Sequence, residues 1–288
     1  MTFAYLITAH EDTKVLRILL KSLDNPNCDI FIHWDKKSLC PSGLNSILKY
    51  SKLYLVENPV KVDWGSYTQV QAEMKLFRTA FIHGPYDYYH LISASDMPIK
   101  CYNEMKSFFK HNKGKEFIAF NKDVLESRIK YYHLFVCQQR NMPRWKLYSD
   151  KIFVGMQRVF FRQGRKVLRN FSIYKGANWC SVTNDFVRCL MDNEKFVMQI
   201  SMFAKNPDEH YKQIVAMNFG FADRIFNLED EHLGCMRYVD WERGSPYNWL
   251  ESDFEEIIKS GRMFCRKISS EKLANKILEY ILLDNKEV

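Results

Sequence analysis

Two acidic residues at the start of a predicted helix are candidates for a catalytic role. Asp208 and Glu209 follow Pro207, and a carboxylate exposed to a cleft at this point could act as a general base. The alternative is simple capping, because proline and acidic residues both favour the first turn of a helix. The local pattern is compatible with both interpretations.

Three cations and two tryptophans stand near the ends of other predicted strands. Arg237, Arg266 and Lys267 could clamp a diphosphate, since such groups pair well with phosphate oxygens. They could equally be solvated surface groups. Trp64 and Trp179 could stack on a base or a sugar, or could fill the core.

The elements that must position these residues begin with a β-α-β pattern. Apolar strands are predicted at 3–8 and 30–33, joined by an amphipathic helix at 15–23 that Asp12 or Thr13 caps. Open α/β sheets bind ligands at the carboxyl ends of their parallel strands. The residues predicted at such ends are therefore candidate ligand contacts: Ala9, His10, Asp35 and, after a later strand at 88–92, Asp96.

The remaining chain continues the alternation of strands and helices and predicts an α/β fold. We expect one domain over 1–288, with an irregular insertion at about 121–172 and a C-terminal helix at about 270–284. Further strands are predicted at 52–56, 117–120, 178–182, 235–239 and 262–266, and further helices at 67–81, 185–191, 207–217 and 271–283.

Composition and absent motifs narrow the function. With 47 % hydrophobic and 15 % aromatic residues, the chain can bury a large core. No apolar run reaches the roughly 18 residues of a membrane span, and the first ten residues lack the features of a signal peptide, so we expect a cytoplasmic protein. Eight scattered cysteines without a C-x-x-C pair predict free thiols. The motifs of P-loop, dinucleotide, serine-hydrolase and zinc-protease sites are missing.

Metal-binding carboxylates are missing as well. Mg²⁺ and Mn²⁺ prefer closely spaced oxygen ligands, and the sequence contains no Asp-x-Asp. The nearest approximation at a candidate site is Asp240-Trp241-Glu242. We therefore predict no metal site and no cofactor.

A basic segment at 158–169 accounts for part of the formal net charge of +8. Its five cations alternate with bulky apolar residues at roughly helical spacing. This pattern suits an anionic membrane surface or a phosphate-bearing ligand, or it is the solvated face of a helix over a core stripe. A clustered nucleic-acid module is not recognisable, so no nucleic-acid partner is predicted.

Taken together, these segments resemble the core-2/I-branching N-acetylglucosaminyltransferases and the peptide xylosyltransferases, in the same order from residue 4 to about 268. The segments that carry the resemblance are 4–10, 32–37, 64–66, 91–99, 176–179, 207–209, 237–241 and 264–267.

The resemblance implies a GT-A type fold with a Rossmann-like mixed sheet, and an inverting transfer from a UDP-sugar without a metal. Glu209 resembles the family's catalytic base, and Arg237 and Lys267 resemble the cations that neutralise the departing diphosphate. It further implies donor contacts at Ala9, His10, Asp35, Trp64, Asn178, Trp179, Ser245 and Arg266, and acceptor contacts at Asp96 and, more weakly, Trp241.

We therefore expect a bacterial, cytoplasmic glycosyltransferase that moves N-acetylglucosamine from UDP to a glycan or a polyprenyl-linked oligosaccharide of a surface polysaccharide. Segment 158–169 is expected to rest on the inner membrane. Xylose, galactose and galactofuranose are alternative sugars. A non-catalytic module that binds a glycan or nucleotide, a nucleic-acid-binding protein and a sugar hydrolase remain alternatives of other classes, the last needing two carboxylates around one bond.

Overall fold

A computed structural model describes residues 1–140, 142–160 and 162–287, with side chains through residue 283. The strands of this part of the chain are β1 Phe3–Ala9, β2 Cys28–Trp34, β3 Leu53–Leu55, β4 Tyr88–Ser93, β5 Asp96–Pro98, β6 Phe117–Ile118, β7 Cys180–Thr183, β8 Arg237–Val239 and β9 Phe264–Arg266. Its α-helices are α1 Lys14–Leu23, α2 Tyr67–His83, α3 Tyr102–His111, α4 Ser127–Lys130, α5 Arg144–Phe160, α6 Asn184–Asp192, α7 Glu194–Ser201, α8 Tyr211–Asn218, α9 Glu231–Cys235, α10 Phe254–Lys259 and α11 Glu271–Glu287.

The larger sheet has six strands in the order β3-β2-β1-β4-β7-β6. Strands β1 to β4 run parallel, whereas β7 is antiparallel to both of its neighbours. Because Leu91 near the end of β4 pairs with Cys180 at the start of β7, the residues before β7 lie at the carboxyl edge of the parallel strands. Beside this sheet, β5, β9 and β8 form a smaller one.

The central strand β1 is buried on both faces, as expected for a parallel strand between layers of helices. Phe3, Tyr5 and Ile7 face a core formed with α1, α3, α11 and the smaller sheet. Ala4 and Leu6 face a second core formed with α2, α6, α7 and α8. The predicted α/β architecture, a mixed sheet flanked by helices, is confirmed.

The amino ends of two helices fix the loops that follow β1 and β3. Thr13, one of the two predicted caps, caps α1 by accepting a hydrogen bond from the Leu16 N–H at 3.1 Å. Ser66 caps α2 and accepts from the Thr68 N–H at 3.2 Å. Gly65, immediately before this cap, has a φ of +70°, a conformation that L side chains rarely adopt.

Several predicted element boundaries are wrong. The strands predicted from 178 and 262 begin at Cys180 and Phe264, and the strand predicted to end at 120 ends at Ile118. The helix predicted from 207 begins only at Tyr211, because a 3-10 turn over Pro207–Glu209 and a non-helical His210 precede it. Cys235 belongs to the end of α9, so β8 begins two residues later than the predicted strand. Glu209 therefore lies on a turn that faces the end of the sheet, not within a helix.

The basic segment 158–169 is not one amphipathic helix, and that prediction is wrong. Helix α5 ends early in the segment, and Gly164 has a φ of +72°. Arg165 is buried, and its guanidinium donates to the Ile129 carbonyl at 3.3 Å and to two carbonyls near the end of α7. Phe161 lies outside the described residues.

Three further findings concern the cysteines, residues 121–172 and the lengths of the helices. All eight cysteines are free, as predicted, and five of them are buried. Between 121 and 172 the described residues form helices and turns without a strand. The predicted insertion itself stays a prediction. Across the described ranges no helix has the length and apolarity needed to cross a membrane.

A buried ion pair joins α2, α8 and the residues before β7. Lys212 and Glu73 are both fully buried, with 3.0 Å between Nζ and Oε2. The two Glu73 oxygens also accept from Tyr211 at 2.8 Å and from Asn178 at 2.7 Å. The Lys212 ammonium donates in addition to Asn178 Oδ1 at 2.6 Å and to the Asp208 carbonyl at 3.2 Å. Each charge is therefore surrounded by hydrogen-bond partners.

We expect Lys212→Met to lower the free energy of unfolding by about 3–5 kcal/mol, because it leaves the Glu73 carboxylate buried without its counter-charge. Denaturant unfolding measures the change. The matched control is Lys259→Met, which removes an exposed pair with Glu255 and should cost less than about 1 kcal/mol. Equal losses in the two variants would show that the buried pair is not a special determinant of stability.

Candidate active site

Glu209 is held at the carboxyl edge of the sheet by two cations. Its side chain is 29 % exposed, and Arg128 Nη1 and Lys175 Nζ lie 3.3 Å and 3.8 Å from Oε2. The other oxygen, Oε1, has no hydrogen-bond partner within the described ranges. A carboxylate fixed through one oxygen and open at the other can accept a proton from a hydroxyl.

The backbone around Glu209 is fixed by a close approach of two chain segments. The Gly176 N–H donates to the Glu209 carbonyl at 2.9 Å. A Cβ at Gly176 would lie 1.8 Å from the Ala119 carbonyl oxygen, so only glycine fits there.

Asp208, although adjacent in sequence, is in a different environment. It is buried, with Gln69 Nε2 donating to Oδ2 at 2.8 Å and with Oδ1 unpartnered. Burial, together with the nearby Glu73 and Glu209 carboxylates, raises the pKa of Asp208 to about 8. Burial therefore favours the protonated form of Asp208, and Glu209 is the accessible carboxylate of the two.

The turn that carries Trp64 lies beside Glu209. The Asn206 N–H donates to the Gly65 carbonyl at 2.7 Å, which joins this turn to the one that holds Glu209. Trp64 itself is 54 % exposed, and the Arg140 guanidinium lies 5.9 Å from its ring centroid. Trp64 is thus a surface aromatic at the site, not a core residue.

The predicted contacts after β1 and β2 also lie at this edge. Asp35 is nearly buried, and its Oδ1 accepts from the backbone N–H groups of Lys37 at 2.9 Å and Val62 at 3.3 Å. The Ala9 carbonyl accepts from the Asp35 N–H at 2.8 Å. His10 is exposed. Asp35 shapes the loop through one oxygen.

A second cluster forms where β4, β5, β7 and β9 meet. Arg266 donates to Asp96 at 2.8 Å, to Ser95 at 3.3 Å and to Ser93. Its guanidinium stacks 4.5 Å from the Trp179 ring centroid. Asp96 is buried beneath this arginine, so its carboxylate is an internal partner of Arg266 and is not presented to an acceptor.

Two of the predicted donor contacts are buried and engaged within the protein. Arg237 is 1 % exposed and donates to the carbonyls of Cys235 and Cys180 at 2.6 Å and 2.8 Å, below the Phe264 ring. The amide of Asn178 is used by the buried ion pair. The placement of these two side chains gives no support to a direct contact with a diphosphate or sugar.

Three other predicted residues are open to solvent at least in part. Lys267 is half-buried, and its ammonium makes no hydrogen bond or ion pair in the part of the chain that the structure describes. Ser245 and Trp241 are exposed in the loop after β8. Lys267 is therefore the predicted phosphate cation that remains available to a ligand.

The site was also predicted to lack metal-ligating groups. Among the described residues, no three His, Cys, Asp or Glu side chains are grouped so as to hold a metal ion. The predicted independence from metals stays a prediction.

Sequence reasoning missed the residues that support Glu209. Glu73 occupies the same helix face as Val70 and Phe77, and a carboxylate on an apolar stripe is a readable sign of a buried pair. Arg128 lies in the four-residue helix α4 and Lys175 in an irregular segment, and no periodic pattern marks either residue.

Comparison with known proteins places this chain in a family. The sequence model of the Core-2/I-branching enzyme family matches residues 3–261. Xylosyltransferase 2 of Rattus norvegicus is 23 % identical over 290 residues, which cover 93 % of this chain and 32 % of the relative. Xylosyltransferase 1 of Homo sapiens is 21 % identical over 290 residues, with 93 % and 29 % covered. This chain thus spans about a third of the length of these relatives.

Similarity to solved structures is remote. The apo-form glycosyltransferase GlyE of Streptococcus pneumoniae TIGR4 superposes with a TM-score of 0.38 at 10 % identity, covering 99 % of this chain and 63 % of that one.

The fold and the site together define an α/β protein with its candidate site at the carboxyl edge of a mostly parallel sheet. More specifically, the chain belongs to the Core-2/I-branching enzyme family, which confirms the resemblance seen in its sequence.

The raised pKa of Asp208 predicts a pH-dependent stability. The unfolded chain loses this proton near pH 4, whereas the folded protein keeps it up to about pH 8, so stability falls as the pH rises between these values. Asp208→Asn removes this loss. The difference in Tm between variant and parent should therefore become more positive from pH 5 to pH 8, as measured by thermal unfolding.

The exposed Asp223→Asn is the control and should shift Tm by the same amount at each pH. A constant offset for Asp208→Asn would contradict the assignment of a buried, protonated Asp208.

Proposed function

We propose that this chain is an inverting glycosyltransferase of GT-A type that moves a sugar from a UDP-sugar to a hydroxyl of a glycan, without a metal ion. The family supports transfer of a sugar. The single observation that carries the mechanism is the geometry of Glu209, which is anchored at Oε2 and open at Oε1.

In this mechanism the acceptor hydroxyl gives its proton to Glu209 Oε1 while its oxygen forms a bond to the anomeric carbon. The bond from that carbon to the diphosphate breaks on the opposite face, and its electron pair leaves with UDP. Attack opposite to the leaving group inverts the configuration of the anomeric carbon. Arg128 and Lys175 keep the carboxylate in position during the step.

Negative charge grows on the diphosphate as this bond breaks, and a fixed cation stabilises it. We assign this role to Lys267, whose ammonium has no partner within the described ranges. Arg237 supports the floor of the site from below. Trp64 and Trp241 are exposed aromatic rings that suit stacking on the base and on an acceptor sugar, respectively.

N-acetylglucosamine is the first candidate for the transferred sugar, on the resemblance of the sequence. Xylose is the second, because the curated relatives are named xylosyltransferases. The proposed acceptor is a glycan or a lipid-linked oligosaccharide.

Glu209→Gln tests the base. The amide keeps the shape of the side chain but cannot take a proton, so release of UDP from the donor should fall by at least about a hundredfold. Binding of UDP, measured by calorimetry, should persist. Glu229→Gln, at an exposed residue paired with Lys122, is the control and should keep full turnover.

Retained turnover in Glu209→Gln would exclude Glu209 as the base. If the parent protein binds UDP but never turns a donor over, the chain is a binding module.

Thermal stabilisation by UDP in the presence of EDTA tests the donor site. Ligand binding raises Tm, so UDP should stabilise the parent protein without a metal. Lys267→Ala should lose most of the shift with UDP and keep the smaller shift with uridine, because the lost ammonium contacts phosphate. Lys272→Ala, an exposed lysine on α11, should behave as the parent.

A shift that requires added Mn²⁺ or Mg²⁺ would contradict metal independence, and equal losses with UDP and uridine would contradict the role of Lys267. A panel of UDP-sugars in the same assay identifies the donor.

A further inference from the structure

Helix α5 exposes an apolar stripe along its whole length. Trp145, Tyr148, Ile152, Met156 and Val159 follow at spacings of three or four residues, which places them on one face of the helix. All five are among the exposed large hydrophobic residues of the described chain, with Ile152 and Val159 65 % and 68 % exposed. A soluble helix normally turns such a stripe towards the core.

The rotation of α5 is fixed by contacts on its opposite face. Asp150 is buried and lies 3.1 Å from His133 Nδ1, and it also accepts from the Leu134 N–H at 2.7 Å and from Lys205. Gln157 exchanges two hydrogen bonds with the backbone of Tyr132, at 2.8 Å and 2.9 Å. The apolar stripe is therefore held outward by specific polar contacts.

The charged side chains of the segment that carries the stripe are all cationic where they are not buried. Residues 140–169 contain nine Lys and Arg and one acidic residue, the buried Asp150, so this segment alone has a formal charge of +8. That equals the net charge of the whole chain, and the rest of the chain is balanced. Arg144, Lys151 and Arg158 repeat every seven residues and form an exposed row beside the apolar stripe.

We propose that α5 docks in the plane of an anionic lipid bilayer, with its apolar stripe among the acyl chains and its cationic row at the headgroups. Aromatic and aliphatic side chains on one face, bordered by arginine and lysine, are the features of helices that lie in a membrane interface. The charge excess matches anionic headgroups, which attract each nearby cation.

A second copy of the chain fits this surface less well. A symmetric dimer places the same patch of each copy face to face. Here that would bring two segments of charge +8 together, and the repulsion opposes association.

Flotation of the full chain with vesicles tests the proposal, and it does not depend on the proposed sugar transfer. The protein should float with vesicles of phosphatidylcholine and phosphatidylglycerol, float less at high salt, and float little with phosphatidylcholine alone. The double variant Ile152→Ser/Val159→Ser should lose most of this flotation. So should Lys151→Gln/Arg158→Gln, for which Lys113→Gln/Lys272→Gln is the control that keeps it.

The control for the apolar variant is Leu39→Ser/Ile82→Ser, which removes two residues that are 94 % and 72 % exposed elsewhere. It should float as the parent does. No flotation of the parent, or equal flotation of the Ile152/Val159 variant, would overturn the proposal. Light scattering supplies a further check, since a dimer that this variant abolishes, without flotation of the parent, would assign the stripe to a second copy.

Binding of UDP by each variant separates the two proposals. The α5 variants should keep the thermal shift with UDP while they lose flotation. Loss of flotation alone would leave the sugar-transfer proposal intact, and loss of turnover in Glu209→Gln would leave membrane docking intact.

Discussion

The buried ion pair between Glu73 and Lys212 is the interaction on which the geometry of the site depends. Two charges inside a protein are costly unless their remaining donors and acceptors are satisfied, and here all of them are. The partners come from α2, α8 and the residues before β7, which are far apart in sequence. Lys212 also donates to the carbonyl of Asp208, the residue before Glu209. The ion pair therefore fixes the backbone next to Glu209 without contacting the Glu209 side chain.

Much of the fold was predictable because its signals are local. The alternation of apolar strands and an amphipathic helix in the first forty residues, and the cap at Thr13, correspond to β1, α1 and β2. The direction of β7 was not predictable, since strand orientation depends on pairing with β4, about ninety residues away. That orientation brings Trp179 to the carboxyl edge. The pairing of β4 with β7 therefore determines that Trp179 lies at the candidate site.

The site was predicted by residue type, whereas the structure adds how each side chain is used. Arg237, Asn178 and Asp96 lie where their motifs indicate, yet each is buried and bonded to other protein groups. A sequence shows that an arginine is present, but it does not show whether the guanidinium already donates its hydrogen bonds to backbone carbonyls. The same limit explains Arg165, which belongs to a basic run in the sequence and to the interior in the fold.

The first turns of α2 contact two segments of the candidate site, the turn that carries Trp64 and the turn that carries Glu209. The helix cap at Ser66 adjoins Trp64, and Gln69 holds Asp208 beside Glu209. Trp64 precedes the cap of α2, and Glu209 follows the residue that Gln69 of this helix holds. On the other side, Arg243 in the exposed loop at 241–245 is bonded to three acidic groups, Asp240, Asp253 and Glu256. These ion pairs tie the loop that carries Trp241 to the start of α10, so the loop and α10 move together as long as the pairs persist.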